Sequence, residues 1–163
     1  MRVLLTLLGI VAIVVHSLLG ATLMNDWALV AASEMPLETT IADMDAAGQT
    51  YTAIPGLAFA AMGVLLALAW GATTLFRRTS FPSWATVLVW AGIATLGAPA
   101  YFFTSFANLN SVGDTYFDWN AEAAFALEAP LYMASGIAFL VVVAMMVTAA
   151  IKATARKRPS PVT

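Results

Sequence analysis

From Leu131 to Ile151 the chain runs for 21 residues without a charge. At about 1.5 Å of rise per residue, a helix of that length just crosses the hydrocarbon core of a bilayer, about 30 Å thick. Glu122 and Glu128 stand before this run, and Lys152, Arg156, Lys157 and Arg158 stand after it. That polarity matters because cytoplasmic flanks of membrane helices collect Lys and Arg.

The same arrangement recurs along the whole chain. Charged residues make up 10% of it, against about 25% in a soluble domain. The apolar residues gather in four long runs rather than spreading over one core. The predicted spans are about 3–24, 54–76, 84–106 and 129–151. The loops 25–53 and 107–120 join the first span to the second and the third to the fourth. All seven bases (Arg2, Arg77, Arg78, Lys152, Arg156, Lys157, Arg158) fall on one side of these spans, and all nine acids on the other. The expectation is an all-α, polytopic protein of the cell membrane, a four-transmembrane-helix bundle with both termini cytoplasmic. Residues 1–155 form its single domain and 156–163 a basic, disordered tail.

Met1-Arg2 followed by an apolar run also fits a secretory signal. The run exceeds the 7–15 residues usual for a signal core, and Leu19 suits a cleavage motif poorly, so a retained first span is expected. In the loop that follows, Trp27 falls where an interfacial aromatic is expected. Thr40 and Asp43 read as a capping box opening a short helix over 41–47, with Ile41 and Met44 turned to the membrane or to the top of the bundle and Gly48 as its stop. Pro55 suits the first turn of the second span. Ser80 reads as a cap for the third span, with Pro82 in its first turn. Pro99 lies inside that span and predicts a kink. Ser111-Val-Gly113 reads as a turn.

Small residues recur on one face of the second span: Gly56, Ala60, Gly63, Ala67 and Gly71. In lipid, helices associate by close approach at such residues. Gly9, Ala12, His16 and Gly20 share a face of the first span, and the two faces are expected to pack together. Met133, Met145, Met146 and Phe102-Phe103 read as packing or lipid-facing residues. Trp90 differs from the other tryptophans in lying a little inside its span.

His16 is the ionisable residue that falls inside a span on any reading, in the half away from the basic side. Such residues face the interior and often mark function, although a neutral histidine bonded to a helix carbonyl is the plainer account. Glu128 depends on Pro130. If Pro130 opens the fourth span, Glu128 lies at the water interface, the favoured reading, since 21 uncharged residues follow it. If the run AEAAFALEA already starts the helix near Asn120, then Glu128, Tyr132 and Ser135 share one buried face. His16, Tyr101, Tyr132 and Ser135 then form a candidate polar site, an outer vestibule with Glu128 at its rim and His16 near its floor.

Other chemistry finds little support. The chain has no cysteine and one histidine, which excludes thiolate metal sites and a bis-histidine haem within one chain. No zinc-protease, P-loop or dinucleotide motif is present. No basic surface suits nucleic acid. No catalytic residue and no metal ligand is singled out, and no cofactor is implied. The leading functional reading is a non-enzymatic accessory or packing subunit of a membrane complex, or a homo-oligomer, with the lipid bilayer and a protein as partners. A small proton-linked transporter or channel using His16 or Glu128 is the alternative, and a membrane enzyme acting on a lipid or quinone a further one.

Overall fold

The computed structural model describes residues 2–76 and 82–156. Its elements are α1 (Arg2–Thr22), a π-helical segment (Leu23–Trp27), α2 (Ala28–Ser33), α3 (Leu37–Ala46), α4 (Ile54–Phe76), α5 (Ser83–Thr115) and α6 (Ala121–Arg156). No strand occurs among the described residues. Four helices are long and apolar enough to cross a membrane: Val3–Ser33 taken as one, Ile54–Phe76, Ser83–Thr115 and Ala121–Ala155.

The second of these has the bounds read from the sequence. The other three run further toward the acidic end of the molecule than the apolar runs do. The first helix does not stop at Met24. It widens through the π-helical segment and continues as α2 until Glu34, which takes a left-handed conformation (φ 56°) and donates its N–H to Val30 O. The third continues past Phe106 to Thr115, so Ser111-Val-Gly113 is helix rather than turn. The fourth begins at Ala121 and passes through Pro130.

Each extension has a local cause. Asn120 accepts the Ala123 N–H on its Oδ1 at 2.9 Å, capping α6. Its own N–H donates to Ala32 O at 2.7 Å and its Nδ2 to Glu34 Oε1 at 2.8 Å, so the same residue ties α6 to the end of α2. The extra turns bury an apolar core at the acidic end: Ala28, Leu29, Ala32, Met44, Val112 and Ala124, flanked by Leu37, Tyr51, Tyr116 and Trp119. Burying apolar area in water stabilises by about 25 cal/mol per Å².

α3 starts at Leu37 behind Pro36, four residues before the expected start, with no side-chain cap. Thr40 is therefore not a capping residue. It lies inside the helix, fully buried, with its hydroxyl 2.7 Å from that of Ser33. Met44 is buried, and Gly48 closes the helix at φ +76°. Pro82 occupies the N-cap of α5. The Ser80 cap and all of the tail beyond Arg156 lie outside the described residues.

α1 packs mainly along α4, and α5 mainly along α6. On α4, Gly56, Gly63, Ala67 and Gly71 are buried and Ala60 half-buried. A Cβ added at Gly63 would meet the Ser17 side chain, one at Gly71 the Ile10 side chain and one at Gly56 Asn25. Indole N–H groups brace the pairs: Trp70 donates to Thr86 O at 3.0 Å, and Trp90 to Gly9 O at 3.1 Å.

Candidate functional site

Glu128 is 4% exposed. The continuous helix through Pro130 places it there, with the carboxyl buried inside the protein. Tyr101 reaches it from α5, its Oη donating to Glu128 Oε1 at 2.8 Å, and Tyr101 itself has no exposed surface. Tyr132, one turn along α6, places its Oη 3.5 Å from Glu128 Oε2. The rings of Tyr101 and Tyr132 meet edge to face at 5.8 Å, and Phe125 stacks on Tyr132 at 5.8 Å. Leu23, Met24 and Leu131 form a buried cluster with Tyr101, and Tyr132 packs against it.

A cleft of about 550 Å³ borders this carboxyl. Phe102, Phe106, Trp119 and Phe125 wall it, and Asn110 and Asp114 mark its acidic end. Lys152, the base whose side chain is described, lies near the far end of α6. Among the described residues the carboxyl is held by phenolic hydroxyls, an arrangement suited to exchanging a proton or accepting a hydrogen-bond donor.

His16 lies elsewhere. Its ring sits 6.4 Å from Phe59, and Phe59 sits 6.0 Å from Tyr101. One aromatic ring, that of Phe59, therefore stands between the imidazole and the Glu128 cluster. Its Nε2 is buried without a hydrogen-bond partner. It faces Gly97, where an added Cβ would come within 2.6 Å of it and within 3.3 Å of Ser135 Oγ. Ser135 accepts the Ala98 N–H at 3.0 Å, one residue before Pro99. Of the candidate polar residues, the structure brings Glu128, Tyr101 and Tyr132 into one cluster and sets His16 and Ser135 beside Gly97. The cavity around His16 and the cleft at Glu128 have different walls.

Asn108 escaped the sequence reading, which placed it at the start of a loop. It is 2% exposed. Its Nδ2 donates to Met24 O at 3.1 Å and to Thr52 O at 2.9 Å, while its Oδ1 accepts the Thr52 N–H at 3.2 Å. Tyr51 Oη donates to Asn25 O at 2.9 Å. Met24 and Asn25 belong to the π-helical segment, whose wider turn presents backbone carbonyls to side chains. The available signal was the run Phe106–Asn110, which continues the preceding helical pattern with two asparagines. At this end Tyr116 Oη also donates to Asp43 Oδ2 at 2.7 Å. Burial, reinforced by the Asp43 bond and charge, holds the Tyr116 phenol above its ordinary value.

Among the described residues no group of three His, Asp or Glu could hold a metal ion. Helices and site together define the class: an all-helical chain with four helices long and apolar enough to cross a membrane, and a buried acid near one end. No protein family, curated protein or solved structure matches it.

Proposed function

We propose that this protein is a non-enzymatic, four-span protein of the cell membrane that works as a subunit of a larger membrane assembly or of a homo-oligomer. Both termini lie in the cytoplasm, and the acidic end faces outward. The orientation rests on the complete separation of bases from acids.

The assembly reading rests on Gly136. Most glycines in the spanning helices lie against a neighbour, but an added Cβ at Gly136 would meet nothing within 4 Å. It sits in a stripe of exposed side chains one helical face wide, with Met133, Leu140, Val143 and Val147. In lipid, helices approach most closely at small residues, and Gly136 supplies one on this face. Native mass spectrometry in mild detergent tests this. Wild type is expected as a complex, with itself or another protein, and Gly136→Leu as a monomer. A monomeric wild type counts against the reading.

A second reading follows from the buried carboxyl: proton-linked transport through the Glu128 cleft. Liposome flux that depends on pH and disappears in Glu128→Gln would support it, and pH-independent leakage alone would remove it.

A further inference from the structure

The cavity beside His16 calls for an occupant. It holds about 230 Å³ and lies among α1, α4 and α5. An apolar cavity of about 150 Å³ already admits a benzene ring, so this one admits a single substituted ring. Phe59 and Trp90 supply aromatic walls, Met62 and Ile93 apolar ones. Met62 (58% exposed), Leu66 (40%) and Leu96 (66%) line it while also facing outward, which sets its mouth toward the lipid rather than toward either aqueous end.

The polar groups of the wall are mostly committed. Ser17 Oγ donates to Ile13 O at 2.8 Å, and the Trp90 indole N–H donates to Gly9 O. His16 Nε2 remains, buried and unbonded. An orphaned buried polar atom is costly to leave unpaired, and ionisable residues in membrane segments often mark function. A water molecule is a poor occupant, because buried waters have about three polar partners. Here one would find His16 and, beyond Gly97, the Ser135 hydroxyl that already accepts from Ala98 N–H.

We propose that this cavity binds a lipid-soluble compound with a single oxygen-bearing ring, a quinone or the corresponding phenol, whose ring oxygen hydrogen-bonds His16 Nε2. The ring enters sideways between α4 and α5 and lies between Phe59 and Trp90. Its tail leaves past Met62 and Leu96 into the bilayer. A neutral imidazole serves both oxidation states. With the proton on Nε2 it donates to a quinone carbonyl, and with the proton on Nδ1 its Nε2 accepts from a phenol hydroxyl. Nε2 lies against the Gly97 backbone, and a turn of the imidazole about its side-chain bonds brings it to the ring oxygen. This site is separate from the α6 face and from Glu128, so its test does not depend on either functional reading.

The test uses the full chain in phosphatidylcholine nanodiscs, titrated with a short-tailed 1,4-benzoquinone and separately with its hydroquinone. Quenching of tryptophan fluorescence reports binding. Imidazole ¹⁵N resonances report the hydrogen bond, since the chain has one histidine. Saturable quenching is expected with at least one probe, together with a shift of the Nε2 resonance at saturation. Gly97→Ala should weaken binding at least tenfold. Met62→Trp, which fills the mouth from its exposed side, should do the same without crowding the interior. Ala69→Leu, on the exposed face of α4, should leave binding unchanged. Non-saturable quenching, equal binding by wild type and Met62→Trp, or an unmoved Nε2 resonance at saturation would each overturn the proposal.

Discussion

Tyr101 Oη donates a 2.8 Å hydrogen bond to Glu128 Oε1, between a fully buried phenol of α5 and a buried carboxyl of α6. The bond crosses the contact between the two longest helices of the molecule. It also explains how an acid can sit eight residues into a helix whose next 23 residues carry no charge, Lys152 being the first. Among the described residues the two tyrosines are the side chains bonded to it.

Removing that donor should be felt. Tyr101→Phe keeps the ring and its contacts with Phe59 and Tyr132 but leaves Oε1 unpaired. The expected cost is about 1–3 kcal/mol, read as a lower melting temperature in detergent. Combining it with Glu128→Leu should cost less than the sum of the two single changes, because no orphaned carboxyl remains. Strict additivity would show that the bond contributes nothing.

Asn108→Ala orphans Met24 O, Thr52 O and Thr52 N–H at once. The loss should exceed the about 1–3 kcal/mol of a single buried orphan. Hydrogen exchange at Thr52 should accelerate more than exchange within α4. Unchanged exchange at Thr52 would mean that the asparagine does not hold this segment.

Gly63→Leu should destabilise strongly, because the Ser17 side chain occupies the space a Cβ would need. Ala69→Leu points away from the protein and should be tolerated. Equal melting temperatures for the two variants would contradict the α1–α4 packing.

The orientation is open to chemical labelling. Glu38 and Asp114 are exposed at the acidic end. Cysteines placed there should react with an impermeant thiol reagent in intact cells, and Ser80→Cys should react only after lysis. Labelling of Ser80→Cys in intact cells would reverse the orientation.

The Tyr116–Asp43 bond gives a pH signature. The phenol is raised from its ordinary 10.0, first by burial and then by Asp43. A raised value means that the folded state holds the proton more tightly than the unfolded chain does. The stabilisation is whole below about pH 10 and is lost as pH rises through the folded-state value. The melting-temperature gap between wild type and Tyr116→Phe should therefore be flat from pH 7 to about pH 9 and narrow above about pH 10. A gap that widens with alkali would contradict the assignment.

Hydropathy and charge alone determined four membrane-length helices, because a bilayer imposes a length and an apolar content that leave a plain mark in any sequence. They also determined the small-residue stripe of α4, since spacing along a helix sets its faces whatever lies opposite. The bounds of Ile54–Phe76 were legible because apolar content stops where that helix stops. The other ends were not. Residues 25–33, 107–115 and 121–128 continue beyond the apolar runs because they pack on one another in a core at the acidic end, and packing between segments distant in the chain leaves no local periodicity. Pro130 looked like a helix start because proline removes one N–H, yet the capping bond from Asn120 and the α2 contact carry the helix through it. The site shows the same division. Sequence could name Glu128, Tyr101, Tyr132 and His16 as polar residues near the apolar runs. Only the tertiary structure decided that the acid meets the tyrosines, that Phe59 separates them from His16, and that Asn108 is a buried clasp, because each depends on which faces of separate helices come together.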